Sequence, residues 1–123
     1  MLPAMRFDRH TVIVLVLRPD APAMTEEEAA DLQDRHLAYG AGLQARGVVL
    51  GRGPLTDQDD PTMRGLSVWS VDADTARDLA SADPAVQAGR LAVTVMTWMV
   101  PEGNVQFHKV RAPRSVAEAN APD

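Results

Sequence analysis

Two apolar stretches near opposite ends of the chain most constrain its fold. The stretch Thr11–Leu17 contains only β-branched residues and leucines, and Leu91–Val100 is almost as apolar. A strand with one face in water alternates polar and apolar side chains, and neither stretch does so. We therefore predict two strands covered on both faces, with Thr11–Leu17 at the centre of a sheet.

A long amphipathic helix follows the first strand. Thr25 to Glu28 has the pattern of a capping box, in which the Thr and Glu side chains satisfy free backbone N–H groups at the helix start. Gly47 is suited to end the helix. The inward stripe, at spacings of three and four, consists of Ala29, Leu32, His36, Tyr39 and Leu43. Asp34 and Arg35 point away from this stripe, and we expect no role for them.

The remaining elements complete a recognisable order. Strands at Val48–Gly51 and Gly65–Val71 flank a polar loop, and a second helix ends near Ala82 because Pro84 follows. The order β-α-β-β-α-β is that of the ferredoxin-like split βαβ arrangement. We expect an α+β fold in which both helices cover one face of a four-stranded antiparallel sheet.

The predicted domain spans residues 1–100. Residues 101–123 form a C-terminal extension, compatible with a short edge strand at Val105–Val110 and then a flexible tail. The sheet face opposite the helices is left apolar, which is unfavourable in water. A homodimer through this open sheet face would cover it, and we expect one.

Composition limits the function classes. The net charge is −5 and only one residue is a lysine, so we expect no nucleic-acid partner. The apolar run Val12–Leu17 is too short to cross a membrane, and the absence of cysteine excludes disulfides and thiolate chemistry. These features predict a soluble, cytoplasmic protein.

No metal or cofactor is expected. The acidic loop Asp57–Asp60 lacks the glycine and glutamate of a calcium-binding EF-hand loop. The three histidines are far apart in sequence, without the spacing of zinc ligands. The chain has neither a glycine-rich phosphate loop nor a dinucleotide-binding fingerprint.

The candidate chemistry centres on His36. In a βαββαβ fold the end of the second helix approaches the middle of the first, which brings Asp83 towards His36. A carboxylate beside a histidine fixes its tautomer and stabilises the imidazolium, giving an acid/base pair. Tyr39, Arg52, Gly53 and Pro54 are candidate substrate-binding residues.

The chain resembles the YciI-like proteins, the YCII-related domain family. The resemblance rests on His36–Tyr39, on Gly47 to Leu55, and on Ala82–Pro84 with Ala88–Gly89. It covers about residues 10 to 100. The resemblance implies ferredoxin-like subunits assembled as a dimeric α/β barrel, with a dyad at the positions of His36 and Asp83. Members of this family include a dehydrochlorinase acting on a chlorinated hydroxyhydroquinone.

Two functions remain open. One is a cofactor-independent enzyme of the lyase, isomerase or hydrolase type, acting on a small cyclic or aromatic molecule. The other is a non-catalytic dimer that binds a ligand or a partner protein. In the second case His36 is a core histidine, Asp83 caps the turn at Pro84, and Gly53–Pro54 only ends a strand.

Overall fold

The computed structural model describes residues 4–122; residues 1–3 and 123, the outer ends of the predicted domain and of the predicted tail, lie outside this range. The strands are β1 (Phe7–Leu17), β2 (Val49–Pro54), β3 (Met63–Trp69) and β4 (Leu91–Pro101), and the helices are α1 (Glu26–Ala45), α2 (Ala73–Ser81), α3 (Pro84–Gln87) and α4 (Val116–Ala119). No helix within residues 4–122 is both long and apolar enough to cross a bilayer.

The four strands form one open antiparallel sheet in the order β2-β3-β1-β4. This order and the alternation of elements give the mixed α+β fold expected, consistent with a ferredoxin-like fold. β1 is central, as predicted. It begins at Phe7, earlier than the apolar pattern indicated, because Phe7 to His10 pair with Trp98 to Pro101 at the end of β4.

The capping box at the start of α1 is confirmed. Thr25 Oγ1 accepts from the Glu28 N–H at 3.1 Å, and a Glu28 carboxylate oxygen accepts from the Thr25 N–H at 3.2 Å. Gly47 follows the helix with a φ of 74°, a conformation that glycine adopts without strain. These local signals set where α1 starts and stops.

The main core lies between the helices and one face of the sheet. Its buried residues, which come from β1, α1, β2, β3 and α2, are Ile13, Leu43, Val49, Trp69, Ala76 and Ala80. Tyr39, one turn from His36, packs against the edge of this cluster. The core therefore fixes the face of α1 that carries His36.

The opposite sheet face carries exposed apolar side chains. By strand register, Leu66, Met96 and Trp98 lie on this face, and each is about 40% exposed (42%, 40% and 43%). Part of the face is covered by the chain itself. The ring of Phe107 packs edge-on against His10, with centroids 5.7 Å apart.

The C-terminal extension differs from the prediction. Residues 105–110 form no strand, because this segment leaves the sheet plane instead of pairing along an edge. Phe107 contacts Gly51 on the open face, and Val110 to Pro113 reach the helix side. The segment thus passes around the free edge of β2. The predicted tail includes α4, which packs against α1.

From the helix stripe we expected no role for Asp34, but the structure gives it a hydrogen-bond partner. Its Oδ1 accepts a hydrogen bond of 2.8 Å from the backbone N–H of Val116, the first residue of α4. The outward-facing side of α1 is therefore contacted by the C-terminal extension.

Candidate active site

A cavity of about 610 Å³ opens between α1, the β2–β3 side of the sheet and the C-terminal extension. All six site residues predicted from the sequence line it: His36, Tyr39, Arg52, Gly53, Pro54 and Asp83. A cavity of this size is in the range of small-molecule sites. The structure therefore brings the predicted residues together beside open space.

His36 and Asp83 form a direct contact. The His36 Nδ1–H donates to Asp83 Oδ2 at 2.7 Å, a short, charge-assisted hydrogen bond. The side chains are 13% and 9% exposed, respectively. Because Nδ1 carries this proton, the lone pair of the neutral imidazole lies on Nε2.

Asp83 has a second bond that fixes its position. Its Oδ1 accepts from the Ala85 N–H at 2.9 Å, so the carboxylate caps α3, with Pro84 at the first helical position. The capping role and the contact with His36 use different oxygens. The two interpretations of Asp83 are thus compatible, and the cap holds the carboxylate in place for the histidine.

Arg52 reaches from β2 to the other side of the imidazole. Its Nη2 lies 3.4 Å from His36 Nε2, and its Nη1 donates to the Leu37 carbonyl at 3.3 Å. Burial lowers the pKa of Arg52, and the nearby charge of Asp83 opposes this effect. No ion pair formed within residues 4–122 includes Arg52. A half-buried guanidinium thus faces the cavity without a carboxylate of its own.

Gly40 makes room for Arg52 and was missed by the sequence reasoning. A Cβ atom at Gly40 would lie 2.2 Å from Arg52 Nη1 and 2.3 Å from Cζ. Real Cβ atoms do not approach heavy atoms so closely, so the guanidinium occupies this place only because residue 40 is glycine. A signal was present: glycine inside a helix costs stability and usually has a packing reason.

Tyr39 and the end of β2 complete the predicted set. The Tyr39 hydroxyl donates to the Leu79 carbonyl at 2.6 Å, tying α1 to α2. Burial raises the pKa of Tyr39, the charge of Asp83 adds to this, and Arg46 opposes it. Gly53 and Pro54 are exposed, and a Cβ at Gly53 would meet nothing within 4 Å. They form an open rim.

The cavity has further polar residues that the sequence did not single out. Arg64, Arg90 and Arg111 also line it, which makes the lining rich in positive charge although the chain is acidic overall. Gln44 lies two helical turns beyond His36, and its Oε1 is buried without a partner within residues 4–122. Residues 4–122 contain no group of three or more histidine or acidic side chains placed to hold a metal ion.

The fold and this lining define a small α+β protein with a cationic cavity beside a His–Asp pair. Residues 12–99 match the model of the YCII-related domain family, and the chain belongs to that family. A comparison with curated proteins found no match.

Among solved structures, the chain is similar to 5-chloro-2-hydroxyhydroquinone dehydrochlorinase (TftG) from Burkholderia phenoliruptrix AC1100, in complex with 2,5-dihydroxybenzoquinone. The two are 25% identical, with a TM-score of 0.53, and the match covers 72% of this chain and 92% of that one.

Proposed function

We propose that the protein is a cofactor-independent enzyme of the lyase, isomerase or hydrolase type, dehydrochlorinase-like, that acts on a small cyclic or aromatic molecule. The observation that carries this proposal is the His36–Asp83 hydrogen bond of 2.7 Å at the wall of a cavity of about 610 Å³. Membership of the YCII-related domain family and the likeness to a dehydrochlorinase support a lyase-type reaction.

His36 would transfer the proton. With Nδ1 bonded to Asp83, Nε2 is the base, and the ionised Asp83 stabilises the imidazolium that forms. In a dehydrochlorination, the keto tautomer of the substrate, whose chlorine is on an sp3 carbon, loses a hydroxyl proton to Nε2. The electron pair of that O–H bond forms a carbonyl, the conjugated double bond shifts towards the chlorinated carbon, and the electrons of the C–Cl bond leave with chloride. The same imidazolium returns its proton to solvent after the product departs.

Arg52 would stabilise the negative charge that develops on a substrate oxygen. Its contact with Nε2, at 3.4 Å, is longer than a normal hydrogen bond, so an acidic substrate hydroxyl can displace it. The hydroxyl would then donate to Nε2 while its oxygen accepts from the guanidinium. Preorganised donors of this kind often supply the largest share of catalysis. Tyr39, Gly53 and Pro54 would shape the pocket.

A non-catalytic role is favoured by one observation. The His36 and Asp83 side chains are largely shielded from solvent, and Asp83 also caps α3, as expected for a contact that only ties α1 to α3. In that case the cavity would bind a ligand or a partner without turnover.

The experiment that separates the two is turnover of 5-chloro-2-hydroxyhydroquinone and related chlorinated phenols by wild type and His36→Ala. The enzyme proposal expects chloride release by wild type, reduced roughly 100-fold or more in the variant. Circular dichroism and urea unfolding establish that the variant is folded. Equal turnover in a folded His36→Ala protein would rule out His36 as the base, and no turnover of any member of the panel would favour the binding module.

We further propose that the protein is a homodimer through the open sheet face and acts in the cytoplasm. Exposed Leu66, Met96 and Trp98 on that face support the first statement, because burying them removes apolar area from water. The lack of cysteine fits a reducing compartment.

A further inference from the structure

The C-terminal extension forms one side of the cavity. Val110 to Pro113, Val116 and Ala119 all line it, although they lie beyond residue 99, where the family match ends. Val110 is 63% exposed and Val116 is 38% exposed, so both present apolar surface at the cavity instead of burying it in the core. This chain therefore has a wall on its cavity that the family pattern does not include.

The chain from Phe107 to Val116 is attached to the rest of the protein at both ends and is loosely packed between them. At one end, Phe107 packs against His10 and Gly51 on the open sheet face. At the other end, the Val116 N–H donates to Asp34 on α1. Between them, a second cavity of about 310 Å³ separates Lys109 to Ala112 from Ala41 and Ala45 of α1. A segment with few packing contacts between two attachments opens at low free-energy cost.

We propose that residues 110–119 are the substrate-selecting wall of the cavity, and that Asp34 is the residue that keeps this wall closed over His36. The role in selecting substrate rests on the proposed function; the control of access does not. Val110 and Val116 offer a planar ring an apolar surface in the same cavity that the guanidinium of Arg52 lines. It also limits how far a ligand extends beyond β2.

Access to His36 can be measured without any substrate. Diethyl pyrocarbonate acylates unprotonated imidazole nitrogens, and Nε2 of His36 is the nitrogen that does not bond to Asp83. Asp34→Ala removes the acceptor for Val116, whereas Asp34→Asn keeps an oxygen there. The matched control is Asp31→Ala, an exposed aspartate on the same helix, paired with Arg35.

Peptide mass spectrometry then gives the acylation rate at each histidine. We expect Asp34→Ala to raise the rate at His36 roughly three- to tenfold, the factor for loss of one solvent-exposed hydrogen bond, with both controls near wild type. An unchanged acylation rate at His36 would overturn the proposal. An equal increase in the rate at His10 would also overturn it, because that result indicates a general loosening of the protein. This result does not depend on whether His36 is catalytic.

Selection is tested with two probes of different size. Binding of 2,5-dihydroxybenzoquinone and of the larger 2-hydroxy-1,4-naphthoquinone is measured by absorbance titration. We expect wild type to bind the smaller probe more tightly. In Asp34→Ala the ratio of the two affinities should fall by about threefold or more. An unaltered preference would refute selection by the wall. If neither probe binds, the proposal that the substrate is a ring compound is overturned. The acylation rates would still show whether Asp34 controls access to His36.

Discussion

Gly40 allows the most direct test of how the site is assembled. In Gly40→Ala the new methyl group would stand 2.2 Å from Arg52 Nη1, whereas unstrained contacts between such atoms are about 3.5 Å. The guanidinium must therefore move by roughly 1.3 Å or turn away. Either movement breaks its contacts with His36 Nε2 and the Leu37 carbonyl.

Stability and function should respond differently to this change. Alanine is better than glycine inside a helix by about 0.5–1 kcal/mol, which offsets much of the loss of two long hydrogen bonds. We expect the free energy of unfolding to change by less than about 1.5 kcal/mol. Loss of a charge-assisted contact to a bound anion costs about 1.5–3 kcal/mol, so binding of 2,5-dihydroxybenzoquinone should weaken roughly 10- to 100-fold.

Gly42→Ala is the matched control. Gly42 is in the same helix, and a Cβ there would meet nothing within 4 Å. We expect this variant to be about 0.5–1 kcal/mol more stable than wild type and to bind normally. Urea unfolding and ligand titration of both variants and of Arg52→Ala give the comparison. If Gly40→Ala binds as well as Gly42→Ala while Arg52→Ala does not, Gly40 does not position Arg52.

Three further outcomes follow from the structure. Asp83→Asn retains an oxygen that accepts from the Ala85 N–H but no carboxylate for His36. Turnover should therefore fall roughly 100-fold or more, with little change in the free energy of unfolding. Asp83→Ala removes both contacts and should also lower the free energy of unfolding by about 1 kcal/mol, measured with urea. Because burial raises the pKa of Tyr39 above its ordinary 10.0, the folded state holds this proton more tightly, and stability should fall as pH rises past that value. In urea unfolding, Tyr39→Phe should lessen this fall in stability above about pH 10. Equal slopes of stability against pH in the two proteins would contradict the prediction. Sedimentation should give twice the 13.3 kDa chain mass, and Trp98→Asp should give the monomer; a monomeric wild type would refute the proposed interface.

Local patterns predicted most of the fold. The unbroken apolar run after Thr11 indicated a central strand, and the capping box at Thr25 marked the start of α1, because both signals depend on residues close together in the chain. The approach of Asp83 to His36 followed from the topology, since the order of elements brings the end of α2 to α1.

What the sequence did not predict depends on contacts between distant segments. The space for Arg52 depends on Gly40, twelve residues away and on a different element, and only the packed geometry shows that the two meet. The extension was predicted as an edge strand because β-propensity in Val105–Val110 is a weak local signal, which tertiary contacts override. Asp34 was dismissed because a helix stripe shows which side faces the core, not what later covers the other side.

The path of the extension around β2 also affects how this sheet can grow. A strand at the edge of a sheet exposes unpaired N–H and C=O groups, onto which a strand of another molecule can add. The sheet has two such edges, β2 and β4, and residues 107–113 cross in front of the first. Strand addition to β2 would have to displace this segment. Within residues 4–122 no strand pairs with the outer edge of β4, so β4 is the edge more accessible to association with other chains.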